Sequence, residues 1–237
     1  MTKIKKNDFI EIDFIGRIKG SNHVFDCTNE DIAKKNNLFN KELEYKPLII
    51  CIGERNIIPG LDDALLDKEI GKNYVIEVNA EKAFGKKDQR LVRLVNTNVF
   101  LKNNINPIPG LQVNIDNLIG TIRTVTGGRT IVDFNNPLAG RDVVYEVKIN
   151  KKIEGINEKL KSCIRFNIGL NEKLYEVRLK NNSAEIILGI EIPKEVQDIF
   201  IKKIKPLISE LKDIKFVKKD VEEFKKNREK KKILENN

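Results

Sequence analysis

"NIIPGLDDALL", residues Asn56–Leu66, sets two isoleucines against a Pro-Gly turn that opens at once into an amphipathic helix. Proline suits the first helical position, because the N–H it lacks would have no partner there. The residue ahead of it is the usual place for a polar cap. Here that place is aliphatic, so the turn presents apolar bulk that capping does not explain. The spacing predicts a helix from Gly60 to Leu66.

Outward from this turn the chain reads as strands. Phe9–Ile18, "FIEIDFIGRI", alternates apolar and charged residues, as a half-buried strand does. Gly20–Asn22 marks a turn, and "HVFDC" follows as a second strand. Asp31–Leu43 has weak helical spacing and many polar residues, as in a surface excursion. "YKPLIICIG" is a short apolar strand closed by Gly53, and "EIGKNYVIEV" restarts as a strand after Gly71. Near Ala80 the character changes. "NPIPGLQV", "NLIGTIRTVTGGRTIVDF" and "NNPLAG" are short β-runs separated by turns, and Gly127-Gly128 is a hairpin signal. Asp142–Ile149 resumes a strong strand. Beyond "KKIEGINEKL", the runs "CIRFNIGL", "KLYEVRL" and "SAEIILGIEI" read as three strands. Pro193 opens a helix with an apolar face of Val196, Ile199, Phe200, Ile204, Leu207, Ile208 and Leu211. Pro206 is expected to kink or divide it, and "DIKFVKKDV" reads as a last strand.

Composition narrows the classes. The 237 residues are 40% hydrophobic and 33% charged, which suits a globular protein with material for more than one small core. No stretch approaches the roughly 18–20 apolar residues of a membrane span. The N-terminus lacks the apolar segment of a signal peptide, so the expected location is cytoplasmic. Cys27, Cys51 and Cys163 are widely spaced and read as buried reduced thiols. His23 has no Cys or His cluster around it, so no metal site and no cofactor are expected. The net charge of +9 raises nucleic acid as a partner. Lysine and glutamate alternate over most of the chain, however, as on an ordinary solvated surface. The basic tail "KKNREKKKILENN" is read in the same way, which leaves nucleic acid as the weakest partner.

Five motifs in order resemble the FKBP-type peptidyl-prolyl isomerases, in their SlyD-like branch. "DFIG" stands where the family has an aromatic residue before a turn glycine. "VFD" matches its apolar-Phe-Asp step, and "IGERNIIPGLDDALLDKEIGK" its strand, helix and following glycine turn. "KAFGKKD" matches the aromatic-Gly flap, and "LAGRDVVYEV" the return of the flap to the last strand. The resemblance covers about Asn7 to Ile149 and implies an α+β fold, a twisted antiparallel sheet around a short helix. About fifty residues separate the last two motifs, long for a loop without its own structure. They resemble the β-rich insert-in-flap domain, which in the family binds unfolded chains. The segment after Asp26 and the C-terminal region resemble long-form archaeal members.

By motif match, Ile57 and Ile58 line the prolyl pocket and Leu61 lies beneath the ring. Phe14, Phe25, Leu48 and Tyr145 complete the wall, Phe84 stands on the flap, and Asp26 supplies an acidic group. In the family, the N–H at the position of Ile58 donates to a substrate carbonyl. Phe14 and Phe84 depart from the tyrosines common there, and Leu61 from a common tryptophan. Without the resemblance, the apolar members of this set would read simply as core, and Asp26 as a turn or cap residue.

Three units are expected: residues 1–85 with 138–152 as the isomerase domain, 86–137 as the insert, and 153–237 as a C-terminal α+β domain. In the insert, Leu94, Val95, Val99, Phe100, Leu111 and Val113 are candidates both for its core and for a client-binding surface. The leading reading is an isomerase and ATP-independent chaperone acting on unfolded or nascent chains with X-Pro bonds. The alternative is a holdase with a weak or vestigial pocket, motivated by the missing tyrosines. The C-terminal helix packs on its own strands or forms a homodimer.

Overall fold

The strand alternation reads directly into the structure. A computed structural model describes residues 2–219. In chain order its elements begin with β1 (Phe9–Ile18), β2 (Val24–Cys27), α1 (Glu30–Lys35), β3 (Leu48–Cys51), α2 (Pro59–Leu65) and β4 (Asn73–Val78). There follow β5 (Val92–Asn96), α3 (Thr97–Lys102), β6 (Gln112–Ile115), β7 (Leu118–Thr126), β8 (Arg129–Asp133) and β9 (Val143–Lys152). Last come α4 (Ile156–Ile168), β10 (Tyr175–Lys180), β11 (Ser183–Leu188), α5 (Lys194–Ile204) and β12 (Asp213–Lys218).

The first sheet runs β2-β1-β9-β4, all antiparallel, and β3 also pairs with β1. Strand β1 changes partner along one edge: Phe9–Ile12 face β3, and Ile15–Arg17 face β2. Thr28 closes the gap between them. Its Oγ1 accepts from the Phe14 N–H at 3.0 Å, and its own N–H donates to the Phe14 carbonyl at 3.1 Å. Ile10, Ile12 and Phe14 alternate onto the face that holds α2, through Leu61 and Leu65 one turn apart.

Helix α2 carries no side-chain cap; Ile58 is the capping residue and Pro59 sits just inside. Its polar neighbours fix the turn from beneath instead. The buried Asp62 carboxylate accepts from the N–H groups of Gly53 and Arg55, at 3.0 and 3.1 Å. Asn56 Oδ1 accepts from the Cys51 N–H at 2.8 Å. Gly60 brings the helix close to its neighbours, for a Cβ there would stand 2.4 Å from Val78 Cγ1 and 3.0 Å from Lys82 Cβ. Gly60→Ala is therefore expected to destabilise by about 1–3 kcal/mol through overpacking, despite alanine's better helix propensity. An unchanged or raised urea midpoint would contradict that close approach.

The insert forms a second sheet, β5-β8-β7-β6, with α3 against it. The expected hairpin at Gly127-Gly128 joins β7 to β8. Its small core is Phe100, Val113, Ile122 and Val132. The two chain crossings at its base are tied together. The Asp88 N–H donates to Asn135 Oδ1 at 2.8 Å, and Asn135 Nδ2 donates to the Asp88 carbonyl at 3.0 Å and to Asp133 Oδ1 at 2.8 Å. The buried Asp133 also takes Lys87 at 3.0 Å and Arg123 at 2.9 Å. Nearer the first sheet, the Gly140 N–H donates to the Gly85 carbonyl at 2.8 Å.

The C-terminal region departs from the sequence expectation. "CIRFNIGL" is not a strand; it is the second half of α4, stopped by the left-handed Gly169. Ile164, Phe166 and Ile168 mimic a two-residue period, but Ile156, Leu160, Cys163 and Ile164 carry the helical one. Strands β10 and β11 pair antiparallel, and β12 returns parallel to β11 through α5. Helix α5 ends at Ile204, two residues before Pro206, so the proline stops it and does not kink it. Phe200, Ile204, Ile208 and Leu211 are buried, whereas Val196 and Ile199 of the expected face are exposed.

This region joins the first sheet through α4. Leu160, Cys163 and Ile164 share a core with Phe9, Cys51 and Ile153, and Ser162 Oγ donates to the Ile49 carbonyl at 2.7 Å. All three cysteines are buried and free. Burial, and then the charge of Glu54, pushes the Cys51 thiol up to about 12. Burial pushes Cys163 up to about 12 as well, with Cys51 nearby adding to it, and raises Cys27. The basic stretch 225–237 lies outside the described residues. No helix among the described residues is long and apolar enough to cross a membrane.

Candidate active site

The nine residues singled out from sequence come from seven places in the first sheet and its connections. Phe14 is on β1, Phe25 and Asp26 on β2, Leu48 on β3 and Tyr145 on β9. Ile57 and Ile58 form the turn before α2, Leu61 is in its first turn, and Phe84 follows β4. Phe14, Leu61 and Tyr145 are buried in one cluster, and Phe25, Leu48, Ile57, Ile58 and Phe84 pack half-buried against it.

Four rings make a continuous wall. Phe14 tilts against Tyr145 with centroids 5.8 Å apart, Tyr145 meets Phe25 edge to face at 5.7 Å, and Phe25 meets Phe84 edge to face at 5.6 Å. Gly16 allows this, although it lies within β1 and not in the turn that its motif implied. It is paired with both Asp26 and Tyr145. A Cβ there would stand 2.8 Å from the Phe25 ring and 3.1 Å from that of Tyr145.

Asp26 is the acidic residue of this wall. Asp26 is exposed as a residue, yet partial desolvation of its carboxyl raises its pKa, and a hydrogen bond from the Cys27 backbone offsets part of that rise. Tyr145 is raised by burial first and by the Asp26 charge second. The Ile58 N–H donates to no group among the described residues, so it is free for a ligand carbonyl. No group of three or more His, Cys, Asp or Glu among the described residues is arranged to hold a metal ion.

A cavity of about 350 Å³ opens beside the wall. Phe14, Phe25, Asp26 and Leu48 line it from the sheet, Leu43–Lys46 from the long connection between α1 and β3, and Arg165 and Phe166 from α4. Phe166 packs against the same cluster as the wall residues. Sequence reading missed Thr28, Arg165 and Phe166. The Thr28 contact bridges 14 residues and the α4 contact more than a hundred, and neither leaves a local pattern.

The insert candidates divide. Phe100 and Val113 belong to its buried core and are unavailable as surface, a correction to the sequence reading. Val95 and Leu111 are half-buried against that core, while Leu94 and Val99 are exposed. Leu101, Ile108, Leu118 and Ile119 are exposed as well and were not singled out for the surface.

Comparison with known proteins agrees with this geometry. A family model described as FKBP-type peptidyl-prolyl cis-trans isomerase matches residues 1–100, and one described as the FKBP26 IF domain matches residues 93–138. The short-type peptidyl-prolyl cis-trans isomerase of Methanocaldococcus jannaschii is 29% identical over 146 residues, 62% of this chain and 92% of that protein. A probable FKBP-type 16 kDa peptidyl-prolyl cis-trans isomerase of Pseudomonas fluorescens is 27% identical over 108 residues, 44% of this chain and 71% of that protein. The FKBP-type isomerase SlyD of Yersinia pestis is 30% identical over 122 residues, 48% of this chain and 60% of that protein. With the aromatic wall, the free Ile58 N–H and both family matches in one continuous stretch, the chain belongs to the FKBP-type peptidyl-prolyl cis-trans isomerases.

Proposed function

We propose that this isomerase is also an ATP-independent folding helper, in which the insert captures an unfolded chain and the aromatic-walled site turns its X-Pro bonds. The observation that carries this is the exposure of Leu94, Val99, Leu101, Ile108, Leu118 and Ile119 on a unit whose buried core is only four residues. So much exposed apolar surface on so small a unit marks an interaction site. The proposed partition keeps the boundaries read from the sequence: 1–85 with 138–152, then 86–137, then 153–237. A second copy of the chain is the proposed cover for the exposed Ile190, Val196 and Ile199 of the C-terminal unit; equilibrium sedimentation as a monomer would remove that part.

Rotation about X-Pro faces a barrier of about 18–20 kcal/mol because it breaks amide resonance. No covalent bond is made or broken, so neither nucleophile nor metal is needed. The twisted amide has a more ketone-like carbonyl and less charge separation than the planar ground state. A dry site therefore favours it over water. Ile57, Ile58 and Leu61 supply the apolar surface, the rings exclude water, and the Ile58 N–H holds a flanking carbonyl in place. These roles account for the aliphatic turn at Asn56–Leu66.

Proline-limited refolding tests the reading. Catalytic amounts of the protein are expected to accelerate the slow phase. The Asp26→Ala, Ile58→Gly double variant is expected to lose roughly tenfold to hundredfold of that acceleration. If neither protein accelerates refolding while both suppress aggregation, the chain acts as a holdase on this scaffold.

A further inference from the structure

We propose that Arg165, lying over Phe166 near the end of α4, makes the C-terminal unit part of the substrate cleft and selects an acidic side chain beside the proline. Three observations carry this. The cavity next to the aromatic wall has Phe14, Phe25 and Leu48 on one side and Arg165 with Phe166 on the other. A peptide held at the wall therefore extends its neighbouring side chain toward α4. Phe166 is packed into the cluster that holds the wall, which fixes the end of α4 relative to the pocket. The third observation concerns charge. Lys46, the other cation lining the cavity, is neutralised by Glu44 and Glu172, each at 2.9 Å. Arg165 forms no ion pair and no side-chain hydrogen bond among the described residues, and its guanidinium sits 5.9 Å from the Phe166 ring centroid.

An exposed guanidinium with no internal anion, set against an aromatic plane, is ready for a carboxylate from outside. Asp26 does not take that place, for no ion pair or hydrogen bond joins its carboxylate to Arg165 among the described residues. The subsite depends on the isomerase assignment, because it acts on a chain already seated at the wall.

The test uses the full chain and tetrapeptides carrying Glu, Gln or Lys immediately before or immediately after proline. The wild type is expected to favour Glu over Lys in kcat/KM by roughly threefold to tenfold at one of the two positions, at low salt. Arg165→Gln brings that ratio to about one, Arg165→Glu inverts it, and Arg165→Lys keeps most of it. Arg165 is exposed, so folding is not at stake in these variants. A wild-type ratio near one at both positions, or one that Arg165→Gln and Arg165→Glu leave unmoved, overturns the proposal. Peptide binding, read by fluorescence anisotropy, separates the two assignments. Arg165-dependent preference for Glu in binding, with no turnover of any peptide, would keep the subsite and remove the isomerase reading.

Discussion

Removing residues 86–137 is expected to slow catalysis on an unfolded protein by about a hundredfold while leaving tetrapeptide turnover within about threefold. The two effects separate because the insert and the wall act at different stages. The wall is the proposed seat of the prolyl bond, and every residue in it lies outside the insert. In the proposed capture model, the insert raises the local concentration of prolyl bonds near the wall by holding the chain that contains them. A tethered second contact of this kind multiplies effective affinity by roughly 10²–10⁴ without any new contact at the bond itself. The deletion is conformationally cheap. The Gly140 N–H already meets the Gly85 carbonyl at 2.8 Å, so a short link closes the sheet without moving its ends. Refolding of a proline-limited protein and isomerisation of a short peptide, measured side by side on both forms, decide the matter. Equal losses on the two substrates would end the capture model.

Asp133→Ala is expected to destabilise the base of the insert by about 2–3 kcal/mol. The Asp133 side chain is 3% exposed and takes bonds from Lys87, Arg123 and Asn135. Deletion leaves two cations and an amide without their common acceptor. The figure sits below the full cost of breaking a buried pair because Lys87 and Arg123 are each 46% exposed and recover water. Burial alone would push the Asp133 carboxyl up. The bonds from Asn135, Lys87 and Arg123 outweigh it and hold the pKa well below the usual range. A carboxyl depressed in the folded state contributes stability that is complete above its unfolded value, about 3.9. That contribution is lost as pH falls below this value toward the folded one. Wild type and Asp133→Ala are therefore expected to converge in stability in strong acid and to differ most near neutrality. Urea midpoints at a series of pH values check this, and a difference that stays constant into acid would refute it.

Much of the site was legible because its parts are local. The turn at Ile57-Ile58-Pro59-Gly60, the Phe25-Asp26 step and the Phe84-Gly85 flap each keep their meaning within a few residues. Their order along the chain carried the family resemblance, and the resemblance implied the sheet that brings them together. The strands of that sheet were readable for the same reason, since one buried face imposes a two-residue alternation. What failed was long-range or ambiguous in period. The run Ile164, Phe166, Ile168 alternates by coincidence inside α4, and reading it as a strand concealed the two residues that reach the cavity. Ile199 has helical spacing with buried neighbours and is nevertheless 68% exposed, because periodicity shows which residues share a face and not what covers it. Phe100 and Leu94 looked equivalent in the insert until the small sheet turned one inward and the other out.

The three thiols have a bearing on the company this protein keeps. Attack on a disulfide requires thiolate, and a thiol pushed up to about 12 carries only about one thiolate in 10⁵ at pH 7. Cys27, Cys51 and Cys163 are also buried, so an approaching sulfur meets no exposed partner. A protein that holds unfolded chains would meet their unprotected cysteines at close range. In the proposed folding-helper role, this one would release them without mixed-disulfide traps or scrambled pairings, and every exchange with them would stay conformational.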